Sequence, residues 1–265
     1  MNDRLHIVVM SGGPSAEREV SLRSGVAVTR ALRAQGHQVT DLDPIDDDWQ
    51  LPEGTDVVCI MLHGTYGEDG QIQRLLEQLG MPYVGTRALA STIAFNKAMT
   101  KHTLVEHGIK MPRHRIMRRD EQDLVEDELD HIFAEVGAEL FVKPLASGSS
   151  IGARHIPHKD ALREALNELL VIYDSVLIEE FIRGREATVG VLNNFRNQST
   201  YVLPVVEVVP PRDVVFYDNT NKYNGATEQI CPARFAYGEK AKLTELAGLV
   251  HDAIGCKHYS RSDFI

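Results

Sequence analysis

The first sixty residues restrict the fold more than any other part of the chain. An apolar run, "LHIVVM" (5–10), is followed by a glycine turn, "SGGPSAERE", and then by a helical segment, "EVSLRSGVAVTRALRAQG" (19–36), that stops at Gly36. "HQVTDLD" reads as a second strand and "DVVCIML" (56–62) as a third. Strands alternating with helical segments imply a parallel sheet covered by helices. A second glycine-containing turn, "HGTYGEDGQ", follows the third strand. Ligands of open parallel sheets gather at the carboxyl ends of the strands, which puts both turns on the functional rim.

From about residue 86 the pattern changes. Helical segments cover 88–107 and close before Pro112, and a stripe of Ala161, Leu162, Ala165, Leu166, Leu169 and Leu170 has amphipathic helical spacing. Around it "ELFVK", "IGARHI" and "SVLIEEF" read as strands, giving an α+β unit with an antiparallel hairpin. The last part contains expected strands at 186–193 and 200–208, a polar excursion at 209–227, and a helix carrying Leu243, Leu246, Ala247, Val250 and Ile254. No internal repeat or low-complexity tract interrupts this order.

A length of 265 residues suggests about two domains by size alone. The net charge of −10 argues against a nucleic-acid binder, which shows a basic footprint. Cys59, Cys231 and Cys256 are too few and too scattered for a metal motif or a disulfide framework. No leader-type segment or run of about 18 apolar residues is present, so a soluble protein of a reducing compartment is expected.

The stretch "KPLASGSSIG" (143–152) combines a lysine with a flexible turn and the hydroxyls of Ser147, Ser149 and Ser150. It is not a Walker loop, in which the lysine follows the glycines and a helix begins. A backbone of this kind is able to fold over phosphates while a lysine supplies charge, and a solvent-exposed hairpin with an incidental lysine fits the same letters. Three other features add to it. "FNKAMTK" puts Lys97 and Lys101 on one helical face as candidate phosphate cations. "LIEEFIRGRE" brings Glu179 and Glu180 to a strand end, with Glu186 beyond Gly184. "RSDF" sets Arg261 and Asp263 two apart, on one side of a strand. Together they offer phosphate cations, carboxylates for a ribose, and a carboxylate for Mg²⁺.

With these residues in view, the chain resembles the D-alanine–D-alanine ligases of the ATP-grasp superfamily. "GGPSAEREVSLRSG", "LHGTYGEDGQIQRLLEQLGMPYVGTRALASTIAFNK", "FVKPLASGSSIG", "LIEEFIRGRE", "FYDNTNKY", "CPARF" and "GCKHYSRSDF" occur in family order over nearly the whole length. The resemblance implies a three-part architecture: an N-terminal parallel-sheet α/β domain (1–85), a central α+β ATP-grasp domain (86–180) and a C-terminal ATP-grasp domain (181–265). It implies cytoplasmic ligation of two D-alanines for peptidoglycan. ATP phosphorylates the first carboxylate, and the second amine attacks the acyl phosphate. ATP, D-alanine and Mg²⁺ (or Mn²⁺) are the implied ligands, with a homodimer as the implied assembly and no nucleic-acid or membrane partner.

By the same resemblance, Lys97, Lys143 and Lys222 reach phosphates under the Ser149–Ser150 turn. Glu179 and the backbone of Glu180 and Ile182 meet adenine, and Glu186 meets the ribose. Glu17 pairs with the first D-alanine's ammonium, and His63 orients that substrate. Glu17, Ser149 and Tyr223 form a linking group. Arg261 stabilises the oxyanion of the tetrahedral intermediate, and Asp263 is a Mg²⁺ ligand. Simpler roles fit some of these: a helix-dipole partner for Glu17, a rim histidine for His63, a loop anchor for Tyr223.

The sequence departs from the family pattern in three places. Asn96 replaces the usual aspartate before Lys97, and Asn219 stands where relatives carry an aromatic residue. The family's following E-x-N segment has no counterpart before Ile265, so the C-terminal domain is expected to be incomplete and the last strand to lack a partner. Weak nucleotide binding and negligible ligation are the expectation for a 265-residue product. A ligase with another acceptor and a non-catalytic nucleotide binder are the alternatives.

Overall fold

The computed structural model describes residues 4–46, 48–121, 126–146, 148, 152–211 and 227–265. The first sheet holds β1 (His6–Met10), β2 (Gln38–Leu42), β3 (Val57–Ile60) and β4 (Tyr83–Val84) in the order β2-β1-β3-β4, with every pair parallel. Helices α1 (Arg18–Ala34) and α2 (Gln71–Gln78) supply the connections after β1 and β3. Val8, Met10, Val58 and Ile60 pack with Leu62, Ile72 and Leu76 into one buried cluster. Burial of both neighbours in a strand is what a helix-covered parallel sheet requires, and Val8, Val9 and Met10 are all fully buried. The β1 strand therefore ends with its glycine turn held beside the end of β3.

The helical stretch after residue 86 is two helices, α3 (Ala88–Phe95) and α4 (Lys97–Glu106). They break at Asn96, whose side chain accepts from the N–H groups of Ala98 (3.0 Å) and Met99 (3.2 Å). An asparagine caps a helix start as well as an aspartate does, so this departure from the family pattern keeps the local geometry. A second sheet follows, built from β5 (His114–Arg118), β6 (Leu140–Pro144), β7 (Arg154–Ile156) and β8 (Ser175–Glu180) in the order β5-β8-β6-β7. All its pairs are antiparallel. Helices α5 (Glu126–Val136) and α6 (Lys159–Ile172) cover one face. Leu162, Ala165, Leu166, Leu169 and Leu170 of α6 are buried there against Val142, Val176 and Ile178, as the helical stripe foretold.

The third sheet contains β9 (Glu186–Phe195), β10 (Gln198–Val202), β11 (Val206–Val209), β12 (Glu228–Ile230) and β13 (Tyr259–Phe264). The strand expected over 200–208 is two strands, broken at Leu203–Val205. Pro204 cannot donate to a ladder, which is why pairing stops there. Both pieces still lie along β9, joined by the Leu203 N–H bond to Gly190 O. The last strand does not lack a partner: β13 runs antiparallel to β9 from Tyr259 opposite Leu192 to Phe264 opposite Ala187. The intervening helix α7 (Tyr237–Ile254) packs its Ile254 with Leu104 of α4 and Ala90 of α3. Beside it, Gly85 N–H donates to His258 Nδ1 and Lys257 N–H to Thr86 Oγ1, tying the end of the first sheet to the start of β13. Among the described residues no helix is long and apolar enough to cross a membrane.

Candidate active site

The two glycine turns of the first sheet are stitched together by buried serines of the first. Ser21, fully buried on α1, accepts from Gly12 N–H (2.8 Å) and donates to Met61 O (2.7 Å). Ser15 Oγ donates to His63 O (2.5 Å) and accepts from Glu17 N–H (3.0 Å). Gly12 has a positive φ of 91°, and a Cβ there would meet Asp43 Oδ1 at 2.4 Å, so only glycine fits. Asp43 in turn takes a two-pronged contact from Arg18 and the Gly13 N–H. The Arg18 hydrogen bond outweighs the cost of burial and holds the Asp43 carboxyl below its ordinary range.

This frame fixes Glu17, which is 7% exposed at the start of α1. Its side chain does not cap its own helix. Instead Oε1 lies where a Cβ on Gly64 would come within 2.9 Å, and a Cβ on Gly148 within 2.2 Å. Glu17 thus reaches from the first sheet to the turn between β6 and β7. His63 is near, with Nε2 at 3.1 Å from Ser24 Oγ. Glu68 Oε2 accepts from Gly64 N–H (2.6 Å). Partial burial holds the Glu68 carboxyl above its ordinary range and the Glu17 charge adds to this, against the opposing pull of Gly64 N–H, His63 and Arg261.

In the second sheet, period-two alternation turns Leu140, Val142 and Pro144 into the core and leaves Phe141 and Lys143 on the opposite face. Phe141 stands opposite Glu179 in register, and Lys143 opposite Leu177. Lys143 Nζ forms an ion pair with Glu179 Oε2, and Lys101 Nζ meets Glu179 Oε1 at 2.6 Å. Burial alone would raise the Glu179 carboxyl, but the two ammonium charges outweigh it and hold the group below its ordinary range. Lys97 starts α4, with its N–H 3.1 Å and its Nζ 3.4 Å from Leu145 O, at the end of β6. Lys101 and Lys143 therefore share Glu179, while Lys97 meets the end of β6 at Leu145 O.

Lys101 does not serve as an open phosphate cation. It is 2% exposed and also donates to Pro112 O (3.1 Å). Sharing a helical face with Lys97 left its fate open, because a four-carbon side chain goes where its partner is. Glu180 N–H donates to Arg113 O (3.0 Å), and its carboxylate accepts from Arg113 N–H (2.9 Å) and Nε (3.0 Å). Its carbonyl is therefore the atom to consider for a base. Ile182 lies just beyond, 38% exposed, and Glu186 opens β9.

On β13, Arg261 Nε is 3.2 Å from Asp263 Oδ1, the same-side placement that the two-residue spacing demands. Thr188 Oγ1 donates to that oxygen at 2.7 Å. Both charged side chains are largely exposed, and Arg261 acts on Glu68 across the gap between the third and first sheets. Among the described residues no group of three or more His, Cys, Asp or Glu converges as a metal cage. A single carboxylate suits Mg²⁺ delivered with phosphates, because that ion keeps waters and phosphate oxygens and takes one or two carboxylates.

Family models agree with this arrangement. "D-ala D-ala ligase N-terminus" matches residues 41–86 and "D-ala D-ala ligase C-terminus" matches residues 103–265. A D-alanine--D-alanine ligase of Syntrophobacter fumaroxidans is 40% identical over 99% of this chain and 84% of its own length. The chain belongs to the D-alanine–D-alanine ligase family. Among solved structures, a D-alanine--D-alanine ligase of Bacillus anthracis is similar at TM-score 0.81 and 30% identity, covering 98% of this chain and 82% of that one. A D-alanyl-alanine synthetase A of Vibrio cholerae reaches TM-score 0.85 at 24% identity, over 100% and 85% of the two chains, a likeness of fold. The three-part ATP-grasp architecture is thereby established.

Of the family residues expected from sequence, Ser149, Ser150, Lys222 and Tyr223 lie outside the described residues. Glu17, His63, Lys97, Lys143, Glu179, Arg261 and Asp263 lie on the facing edges described above. Glu68 and the buried serines were missed. Their signal was the motif itself: "HGTYGEDG" carries Glu68 four residues after Gly64, the spacing of a loop closed by its own carboxylate.

Proposed function

We propose that this family member joins two D-alanines in an ATP-dependent ligation through an acyl phosphate. The observation that carries this reading is the contact of Glu17 with Gly148. It supports a role for Glu17 as the ammonium-binding carboxylate next to a segment proposed to cover phosphates, with substrate and nucleotide in one enclosure. The three sheets serve as the three domains, 1–85, 86–180 and 181–265, with ATP held between the latter two.

A carboxylate is a poor electrophile until one of its oxygens becomes a leaving group. Phosphoryl transfer requires chiefly positioning and neutralised charge. Lys97 and Lys143 supply that charge from the α4 start and from β6, with Lys222 as a third cation. Ser149 and Ser150 are the proposed hydroxyl partners of the phosphates, Glu186 takes the ribose, and the strand end at Glu179–Ile182 takes adenine. Asp263 would hold Mg²⁺, which would supply neutralisation of the phosphate oxygens. Glu17 anchors the first ammonium and His63 fixes the substrate's orientation, with Ser149 and Tyr223 completing the link to the hairpin. Arg261 faces the reacting carbonyl with a fixed, always-charged donor fork suited to an oxyanion.

A ligase of the same fold, VanG of Enterococcus faecalis, is described as D-Ala:D-Ser, and a Bacillus anthracis ligase is described as complexed with ATP. The test is therefore phosphate release and product analysis with ATP and D-alanine, set against D-serine, D-lactate and L-alanine. D-alanyl-D-alanine formed with one phosphate per dipeptide is expected. Ligation with a different acceptor and not with D-alanine, or ATP binding without ligation, would overturn the reading.

A further inference from the structure

Lys101 is a buried cation to which the reading above gives no part. Its ammonium sits 2.6 Å from Glu179 Oε1 and 3.1 Å from Pro112 O at 2% exposure, so it is pinned at both ends. The other oxygen of the same carboxylate holds Lys143, the proposed phosphate cation, whose side chain is 26% exposed. We propose that Lys101 is a positioning residue that makes Lys143 detachable, compensating Glu179 so that Lys143 can turn to the phosphates of the nucleotide. This rests on the ATP-dependent reading of the site.

The physical reason is the cost of a buried, unpaired charge. Glu179 is 5% exposed, and a buried carboxylate that loses its only cation is strongly penalised. Without Lys101, Lys143 would be the one cation left on Glu179 among the described residues and would stay with it. With Lys101 in place, the departure of Lys143 leaves a compact, neutral Lys101–Glu179 pair. Lys101, Lys143 and Glu179 together carry one net positive charge, which favours an incoming triphosphate. Removing Lys101 brings that net charge to zero. The fixed bond to Pro112 O keeps Lys101 from following Lys143 out, so the two lysines divide the work.

The test is steady-state kinetics of the complete enzyme with ATP and D-alanine. Lys101→Met is expected to raise the KM for ATP on the order of tenfold, the scale of one charge acting across a partly screened site. The kcat at saturating ATP, the KM for D-alanine and inhibition by adenosine are expected to stay near wild type. Lys101→Arg restores a cation to Glu179, and most of the ATP affinity is expected to return. Lys101→Gln keeps a donor for Pro112 O without the charge and replaces the methionine variant if that one does not fold. A purely structural role would weaken ATP and adenosine by the same factor and leave the arginine variant no better than the methionine one. Either result, or an unchanged KM for ATP, overturns the proposal. A wild-type enzyme that turns over no ATP with D-alanine would instead overturn the functional reading beneath it.

Discussion

A Cβ on Gly148 would stand 2.2 Å from Glu17 Oε1. Gly148 therefore lies against the end of the N-terminal glutamate, and a side chain there would displace that carboxylate. Gly148→Ala is expected to hold the turn away from Glu17 and lower kcat/KM for D-alanine on the order of a hundredfold, the usual cost of misplacing a reacting group by about 1 Å. The thermal midpoint should move little, because the turn lies outside the buried clusters. Kinetics near wild type would show that the two loops do not need to meet.

Arg261 gives a complementary test on the opposite side of the site. Its guanidinium is oriented by Asp263, and Asp263 by Thr188. Arg261→Lys keeps the charge and loses the planar fork, so it is expected to lower kcat by about 10² to 10³, with the KM for ATP changed only a few-fold. Arg261→Ala should be no better. A lysine variant with near-native kcat would show that charge alone suffices there.

The buried hydroxyl of Ser21 joins the two turns of the first sheet. Ser21→Ala leaves Gly12 N–H and Met61 O without that partner. Leaving buried polar groups unpaired costs about 1–3 kcal/mol. Urea unfolding should give a lower midpoint at unchanged slope, together with a raised KM for D-alanine as the loop carrying His63 loosens. A midpoint equal to wild type would mean that solvent satisfies both groups.

These residues also show how far the sequence could be read. Val8 to Met10 announced a buried parallel strand because every neighbour is apolar, and the stripe on α6 announced its own core face. Arg261 and Asp263 were legible because period two leaves them no other arrangement. Lys101 was not legible. Four-residue spacing puts it beside Lys97, yet Glu179 lies 78 positions later, and sequence spacing carries no information about such pairs. Pro204 was visible and still passed over: an apolar run conceals a strand break when both pieces stay beside the same neighbour. β4 was lost because two residues carry no pattern, and β5 because His114, Arg115 and Arg118 break up its apolar letters. The Glu17–Gly148 approach depends on two loops from different sheets, so the family motifs indicated it before any periodicity could.

Glu207 offers a pH-dependent test in the third sheet. It is 4% exposed on β11 and accepts from Arg234 Nε (3.1 Å), Arg234 N–H (3.1 Å) and Arg185 Nη2 (2.8 Å). The Arg234 bond, then that of Arg185, lowers its carboxyl to about 2 from an unperturbed 4.5. A depressed carboxylate stabilises the fold fully above the unfolded-state value and loses that contribution as pH falls toward the folded-state value. Stability attributable to Glu207 is therefore intact above about pH 5 and declines between roughly pH 4.5 and pH 2. Glu207→Gln cannot titrate, so unfolding free energy plotted against pH should lose up to about one proton of slope in that window. It should be less stable than wild type at pH 7, with the difference narrowing in acid. Because Arg185 adjoins Glu186 and Arg234 belongs to "CPARF", the same variant should also bind ATP more weakly. Parallel acid limbs for variant and wild type would show that the two arginines are not what holds this carboxylate charged.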